Sequence, residues 1–325
     1  MLSKVRQASS EPDLAKTVLR SHSRAVSHLM KKGYPLEAAL HVCSIPGPDV
    51  LTAYQKLKAD HDSVLVREIQ GNQMSLDMND EGISTILARW GSREEQAVAG
   101  LRSELKRLRD KSNDDVTVLE CGANIGYYAF IEAAVLGDQA DIYAVEPDPR
   151  NLELLSRGIQ ANDYEDQIQV IQGAFGNETR DATLNLSTKS NCSRIEAAPE
   201  FGATGDSITV DMYAVDEFLI ENDLQPADLD VVRMDVEGYE AEILEGMSEL
   251  LNADSSLVLF IELHRRLRDE KTLSWTVETL REAGFECSLA VYEPRLEDPK
   301  YLDGLIDLLE IDWDEWENIE LILKR

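Results

Sequence analysis

Val116-Thr-Val-Leu-Glu-Cys-Gly-Ala-Asn-Ile-Gly-Tyr-Tyr128 decides how the chain is read. An apolar run meets a glycine turn and then a helical segment, the opening unit of a doubly wound α/β sheet. Gly122 permits a tight turn, and Gly126 lets the new helix approach the strand or a ligand closely. A second apolar run, Ile142-Tyr-Ala-Val-Glu-Pro147, ends in an acid about two dozen residues after Gly122. In such a sheet these two strand ends are neighbours at the ligand crevice, where Glu146 can accept hydrogen bonds from both hydroxyls of a ribose.

A nicotinamide dinucleotide would suit that geometry, but its fingerprint is Gly-x-Gly-x-x-Gly, with pyrophosphate on the helix N-terminus. Here Asn124 stands in the middle glycine's place and Glu120 sets a carboxylate beside the turn, which would repel a diphosphate. S-adenosylmethionine has no phosphate and carries an ammonium and a sulfonium, so an acidic turn favours it.

Outward from this unit, apolar runs at Val116–Glu120, Ile142–Glu146, Ile168–Gln172, Leu229–Asp235, Leu257–Leu263, Glu286–Tyr292 and Ile319–Leu323 alternate with helical segments. The pattern predicts a mainly parallel seven-stranded sheet over 113–325, closing on an antiparallel pair. The polar break Lys111-Ser-Asn-Asp-Asp115 is the expected boundary. Before it, residues 61–112 read as a strand hairpin turning at Gly71-Asn72 and a helix over 92–109. Residues 1–60 read as a helical N-terminal extension. Residues 177–212, rich in Ser, Thr, Asn and Gly, form a long connection of the kind that often serves function.

With 62 acidic and 32 basic residues, the chain carries a formal net charge of −30. Two readings fit that surface: adaptation to concentrated salt, or an acidic protein that avoids anionic partners. Both disfavour nucleic acid, whose binding needs a basic surface. Cys43, Cys121, Cys192 and Cys287 form no CxxC pair, so reduced cytoplasmic thiols are expected. No apolar run approaches a membrane span, and residues 1–10 lack a signal-peptide core.

The stretches Leu119–Tyr128, Tyr143–Pro147 with Asn151, Val232-Arg-Met-Asp-Val-Glu-Gly-Tyr-Glu240 and Leu259-Phe-Ile-Glu-Leu-His264 together resemble the FkbM family of class I methyltransferases. The resemblance covers about residues 113–264. It implies a seven-stranded methyltransferase sheet and methyl transfer to an oxygen, often a hydroxyl of a sugar or other natural product. The acceptor expected is a glycan or small hydroxylated molecule. The alternatives are a nucleic-acid or protein methyltransferase, or a donor-binding scaffold without catalysis; oligomeric state is not legible.

The donor site so read comprises Glu120, Gly122, Ala123, Asn124, Gly126, Tyr127, Glu146, Pro147 and Asn151, with Ala174 and Asp235. Arg233 replaces the lysine usual before the Asp-x-Glu-Gly motif. Asp235 and Glu237, closing the fourth strand, and His264, at the end of the fifth, are the candidate catalytic groups. Glu240 and Glu242 read as the solvated face of the next helix. No metal is expected, because the Asp/Glu pair lacks a convincing third ligand.

Overall fold

The hairpin forms around a two-residue turn. β1 (Val64–Ile69) and β2 (Asn72–Asp77) pair antiparallel, with Ile69 opposite Asn72. Gln70 and Gly71 take φ of 55° and 89°, the type I′ geometry whose twist suits a hairpin. The turn falls one residue before the expected Gly71-Asn72, because Asn72 already pairs across the ladder. Residues 64–325 are described in this computed structural model, apart from 112–113, 198, 200, 265–269, 293–299, 303, 306 and 308–317. The helices expected over 1–60 lie outside the described residues.

Two helices follow, α1 (Ile83–Trp90) and α2 (Glu95–Lys111). α2 starts at Glu95 rather than at Ser92, because Glu94 takes φ 52°. Its acidic first turn and basic last turn complement the helix dipole.

β3 (Val116–Cys121) is buried along its whole length, as a strand covered on both faces must be. Val116 and Val118 enter one apolar layer while Leu119 and Cys121 enter the other. Then come α3 (Tyr127–Leu136), β4 (Ala140–Glu146), α4 (Pro149–Asn162) and β5 (Ile168–Gln172). Asp148 caps α4 by accepting from the Arg150 N–H, with Pro149 preset for the first turn.

The long polar connection is a small sheet in its own right. β6 (Ala174–Gly176), β7 (Arg180–Ser187), β8 (Arg194–Ile195) and β9 (Ala203–Ala214) pair in the order β6-β9-β7-β8. Ala182, Leu184, Ile195, Val210 and Met212 give it a separate apolar cluster. Its polar residues fill the outer face, which hid the strand alternation in the sequence.

The chain re-enters the main sheet through α5 (Val215–Glu221) and β10 (Leu229–Met234). It continues with α6 (Glu240–Glu245), α7 (Ser248–Asn252), β11 (Val258–His264), α8 (Glu270–Glu282), β12 (Glu286–Tyr292), β13 (Lys300–Tyr301) and β14 (Asn318–Lys324). The main sheet runs β13-β12-β14-β11-β10-β3-β4-β5, with β5, β4, β3, β10 and β11 parallel. β14 lies antiparallel between β11 and β12. All seven expected strands are present, but among the described residues the sheet has eight. The extra one, β13, is a two-residue edge strand, too short to carry a periodic signal.

From β3 the chain moves out through β4 and β5; from β10 it moves the other way. The strand order therefore switches between β3 and β10, and a crevice opens beyond their carboxyl ends.

Candidate active site

Gly122 sits at that switch point. It has φ +83°, and a Cβ there would lie 2.6 Å from the Asp235 carbonyl oxygen. Only glycine lets the β3 turn pass so close to the end of β10. At Gly126, φ +90°, a Cβ would collide with Leu155 and Phe130, so this glycine serves helix packing.

Beside the turn opens a cavity whose empty space, counted together with adjoining open solvent, is about 570 Å³. Of the expected donor residues, Gly122, Asn124, Glu146, Pro147, Asn151, Ala174 and Asp235 line it, and Glu237 does so too. Glu146 is held from the backbone outward. Its Oε1 accepts from the Asp148 N–H at 2.9 Å and from Asn151 Nδ2 at 3.1 Å, while Oε2 accepts from the Asn124 N–H at 2.8 Å. Acceptor capacity for a ligand is therefore left on Oε2 alone. Burial pushes this carboxyl up to about 7, against the pull of those hydrogen bonds. Asn151 Oδ1 is buried and unpaired among the described residues.

Four expected donor residues do not line the cavity. Ala123 is tied through its N–H to the Val145 carbonyl at 2.9 Å, and Gly126 supports helix packing. Tyr127 is buried, its hydroxyl donating to the Arg93 carbonyl at 3.1 Å. Glu120 is fully buried and accepts from Arg233 Nη1 at 3.2 Å. A carboxylate committed to the core does not present charge to a ligand; the acids that line the cavity and would repel a diphosphate are Glu146, Asp235 and Glu237. Conversely, Leu184, Ser190, Asn191, Ser193 and Ile195 line the cavity unforeseen. The only signal for them was the length of the 177–212 segment.

Arg233 explains its own departure from lysine. Its guanidinium carbon lies over Tyr128, 3.6 Å from the ring centre, and its nitrogens reach both Glu120 and Asp235 at 3.2 Å. A planar fork does this; an ammonium cannot.

Past Asp235, the second half of the crevice is a cluster of side chains. His264 Nδ1 lies 2.8 Å from Glu240 Oε1, which also accepts from the Gly238 N–H at 3.0 Å. Glu240 is thus buried at 2 % exposure instead of solvated as expected, because the short helix α6 turns its first residue toward the end of β11. His264 Nε2 faces Asp235 Oδ1 at 3.9 Å, Glu237 Oε2 at 3.8 Å and Glu262 Oε1 at 3.6 Å. The fold thereby gathers all three candidate catalytic groups, with Glu237 aimed by a left-handed backbone at φ 53°.

So many carboxylates repel one another. Burial and its neighbours push Glu237 up to about 7 and Glu262 up to about 8. Burial works against a charged His264, but Glu240, Glu262 and Glu237 hold its imidazolium form well above the ordinary range. Asp235 also suffers from burial, yet Arg233, His264 and Arg93 bring it below the usual carboxylate range.

No curated protein matches the chain at a significant level. Among solved structures it is similar to the methyltransferase FkbM from Methylobacillus flagellatus KT, at 17% identity and a TM-score of 0.39. That alignment covers 64% of this chain but only 44% of the other, so the chain spans less than half its length. It is also similar to TYW2 of P. horikoshii in complex with MeSAdo, at 14% identity, TM-score 0.44, covering 85% of this chain and 81% of that one. A third likeness is to the tRNA m1G37 methyltransferase of M. jannaschii, at 12% identity, TM-score 0.38, covering 82% and 57%. No helix among the described residues is long and apolar enough to cross a membrane. None of the three TM-scores reaches 0.5, and the assignment stands on the sequence itself, which matches the Methyltransferase FkbM domain over residues 120–287. With more than half its length in that match, the chain belongs to the FkbM methyltransferase family, and its methyl donor is S-adenosylmethionine.

Proposed function

We propose that this chain methylates a hydroxyl oxygen on a glycan or small hydroxylated acceptor. One observation carries the reading: Asp235 and Glu237 line the donor cavity and also belong to the cluster around His264. A methyl group presented from the cavity would meet an acceptor lodged against that cluster. In the donor half, one ribose hydroxyl donates to Glu146 Oε2 and the other to the unpaired Asn151 Oδ1. Sharing the diol this way suits the hydrogen bonds already made by Glu146 Oε1.

Transfer is an in-line displacement, so positioning supplies much of the rate. The acceptor oxygen forms a bond to the methyl carbon as the sulfur–carbon bond breaks, and the electron pair returns to sulfur. The hydroxyl loses its proton in the process, and the carboxylate–imidazole cluster is placed to promote that loss. The formal charge of −30 supports a neutral acceptor over a polyanion.

The test is label transfer from methyl-labelled S-adenosylmethionine to panels of hydroxylated sugars, small natural products, protein and tRNA. We expect label in an alkali-stable ether on a sugar or small molecule. Label on tRNA or protein alone would overturn the acceptor assignment.

A further inference from the structure

We propose that Asp235, Glu237 and His264 form a binding site for one divalent cation, facing the methyl donor. Their ligand atoms all lie within 4.8 Å of one another. The separations from His264 Nε2, 3.9 Å to Asp235 and 3.8 Å to Glu237, are too long for hydrogen bonds. Metal–ligand bonds of about 2.0–2.2 Å put neighbouring ligand atoms roughly 3–3.6 Å apart. A few tenths of an ångström of closure would therefore bring these atoms onto a single ion.

The imidazole is prepared for that role. Its Nδ1 is engaged by the buried Glu240, itself anchored by the Gly238 N–H. A carboxylate on the far nitrogen fixes ring orientation and tautomer, as behind most metal-bound histidines. The near nitrogen, Nε2, has no hydrogen-bond partner among the described residues and points into a ring of carboxylate oxygens. A bound ion would take the place of the proton on Nε2, which leaves to solvent, while the Nδ1 contact with Glu240 is kept.

One imidazole with two carboxylates suits Mn²⁺ better than Mg²⁺, which prefers oxygen alone. Three protein ligands leave coordination positions open, and the two carboxylates place them on the cavity side. An acceptor hydroxyl bound there would lose its proton to solvent more readily, and its oxygen would be held for attack on the methyl carbon. That use of the ion rests on the proposed methyl transfer; the ion's binding does not.

The closing experiment follows Mn²⁺ binding to the full chain by electron paramagnetic resonance. Excess Mg²⁺ and KCl are included to saturate diffuse binding by the acidic surface. We expect one saturable equivalent, lost in His264→Ala and in Glu237→Gln, and weakened about 10- to 100-fold in Glu240→Gln. A melting temperature close to that of the native chain reports that each variant's fold is intact. No saturable Mn²⁺ site in the native chain, or one that folded His264→Ala and Glu237→Gln retain, would overturn the proposal. If Mn²⁺ binds as expected while S-adenosylhomocysteine fails to bind the native chain, the donor geometry proposed above falls and the cation site stands.

Discussion

The two halves of the crevice are built on different principles. In the donor half, Glu146 is held by backbone N–H groups of Asn124 and Asp148, both within 22 residues along the chain. In the proposed acceptor half, side chains hold one another: Arg233 takes Asp235 at 3.2 Å, and Glu240 takes His264 at 2.8 Å. Backbone-held groups keep their place when a neighbour is changed. Groups that position one another do not, and their titrations are tied together. The donor half should therefore tolerate changes in the acceptor half.

The largest expected effect breaks the acceptor half alone. On an identified acceptor, Asp235→Asn or His264→Ala should lower turnover by about 10²–10⁴. His264→Ala should leave S-adenosylhomocysteine affinity nearly unchanged in calorimetry, since His264 does not line the cavity. Full turnover in both variants would mean that positioning alone carries catalysis.

Next in size is the donor half. Glu146→Ala should weaken S-adenosylhomocysteine binding by about 1.5–3 kcal/mol, roughly 10- to 150-fold, by removing a charged acceptor. Glu146→Gln should fall between, because the amide keeps one acceptor oxygen. An unaltered affinity in the Ala variant would displace the ribose from this carboxylate.

A smaller effect comes from pH. Burial raises the Glu146 carboxyl from its ordinary value of 4.5 to about 7 in the unliganded protein. Above pH 7 the carboxylate is ionised and ready to accept; as pH falls through 7 a proton must be displaced before the ribose binds. Donor affinity should therefore decline below pH 7, about tenfold per unit at most. Glu146→Gln should flatten the profile.

The smallest effect separates surface from site. If the surface is adapted to salt, molar KCl should raise the melting temperature by screening exposed carboxylates. Donor affinity should change little, because Glu146 is buried at 5 % exposure. A melting temperature that falls with KCl would favour the other reading of the charge.

Val116–Tyr128 and Ile142–Pro147 needed no tertiary information to be read. A buried strand, a positive-φ glycine and an acid at a strand end are each set by a few contiguous residues, and β3, β4 and the line of Gly122, Asn124 and Glu146 along the cavity follow from them. The same local logic misread Glu120, since nothing near it in sequence foretells that Arg233 will draw it into the core from the neighbouring strand. It also left the polar 177–212 segment as a connection, because alternation with one wet face resembles a loop until the other face gathers an apolar cluster of its own.

The sheet and its switch point are products of short-range pattern, and so is the line of Gly122, Asn124 and Glu146 along one cavity. Only the tertiary structure decided that Glu240 turns inward and that His264 completes a group with Asp235 and Glu237. Glu240 and His264 stand 24 residues apart, and their 2.8 Å contact exists because β10 and β11 pair in parallel with Met234 opposite Ile261, so that the chain leaving β10 runs beside the last residues of β11.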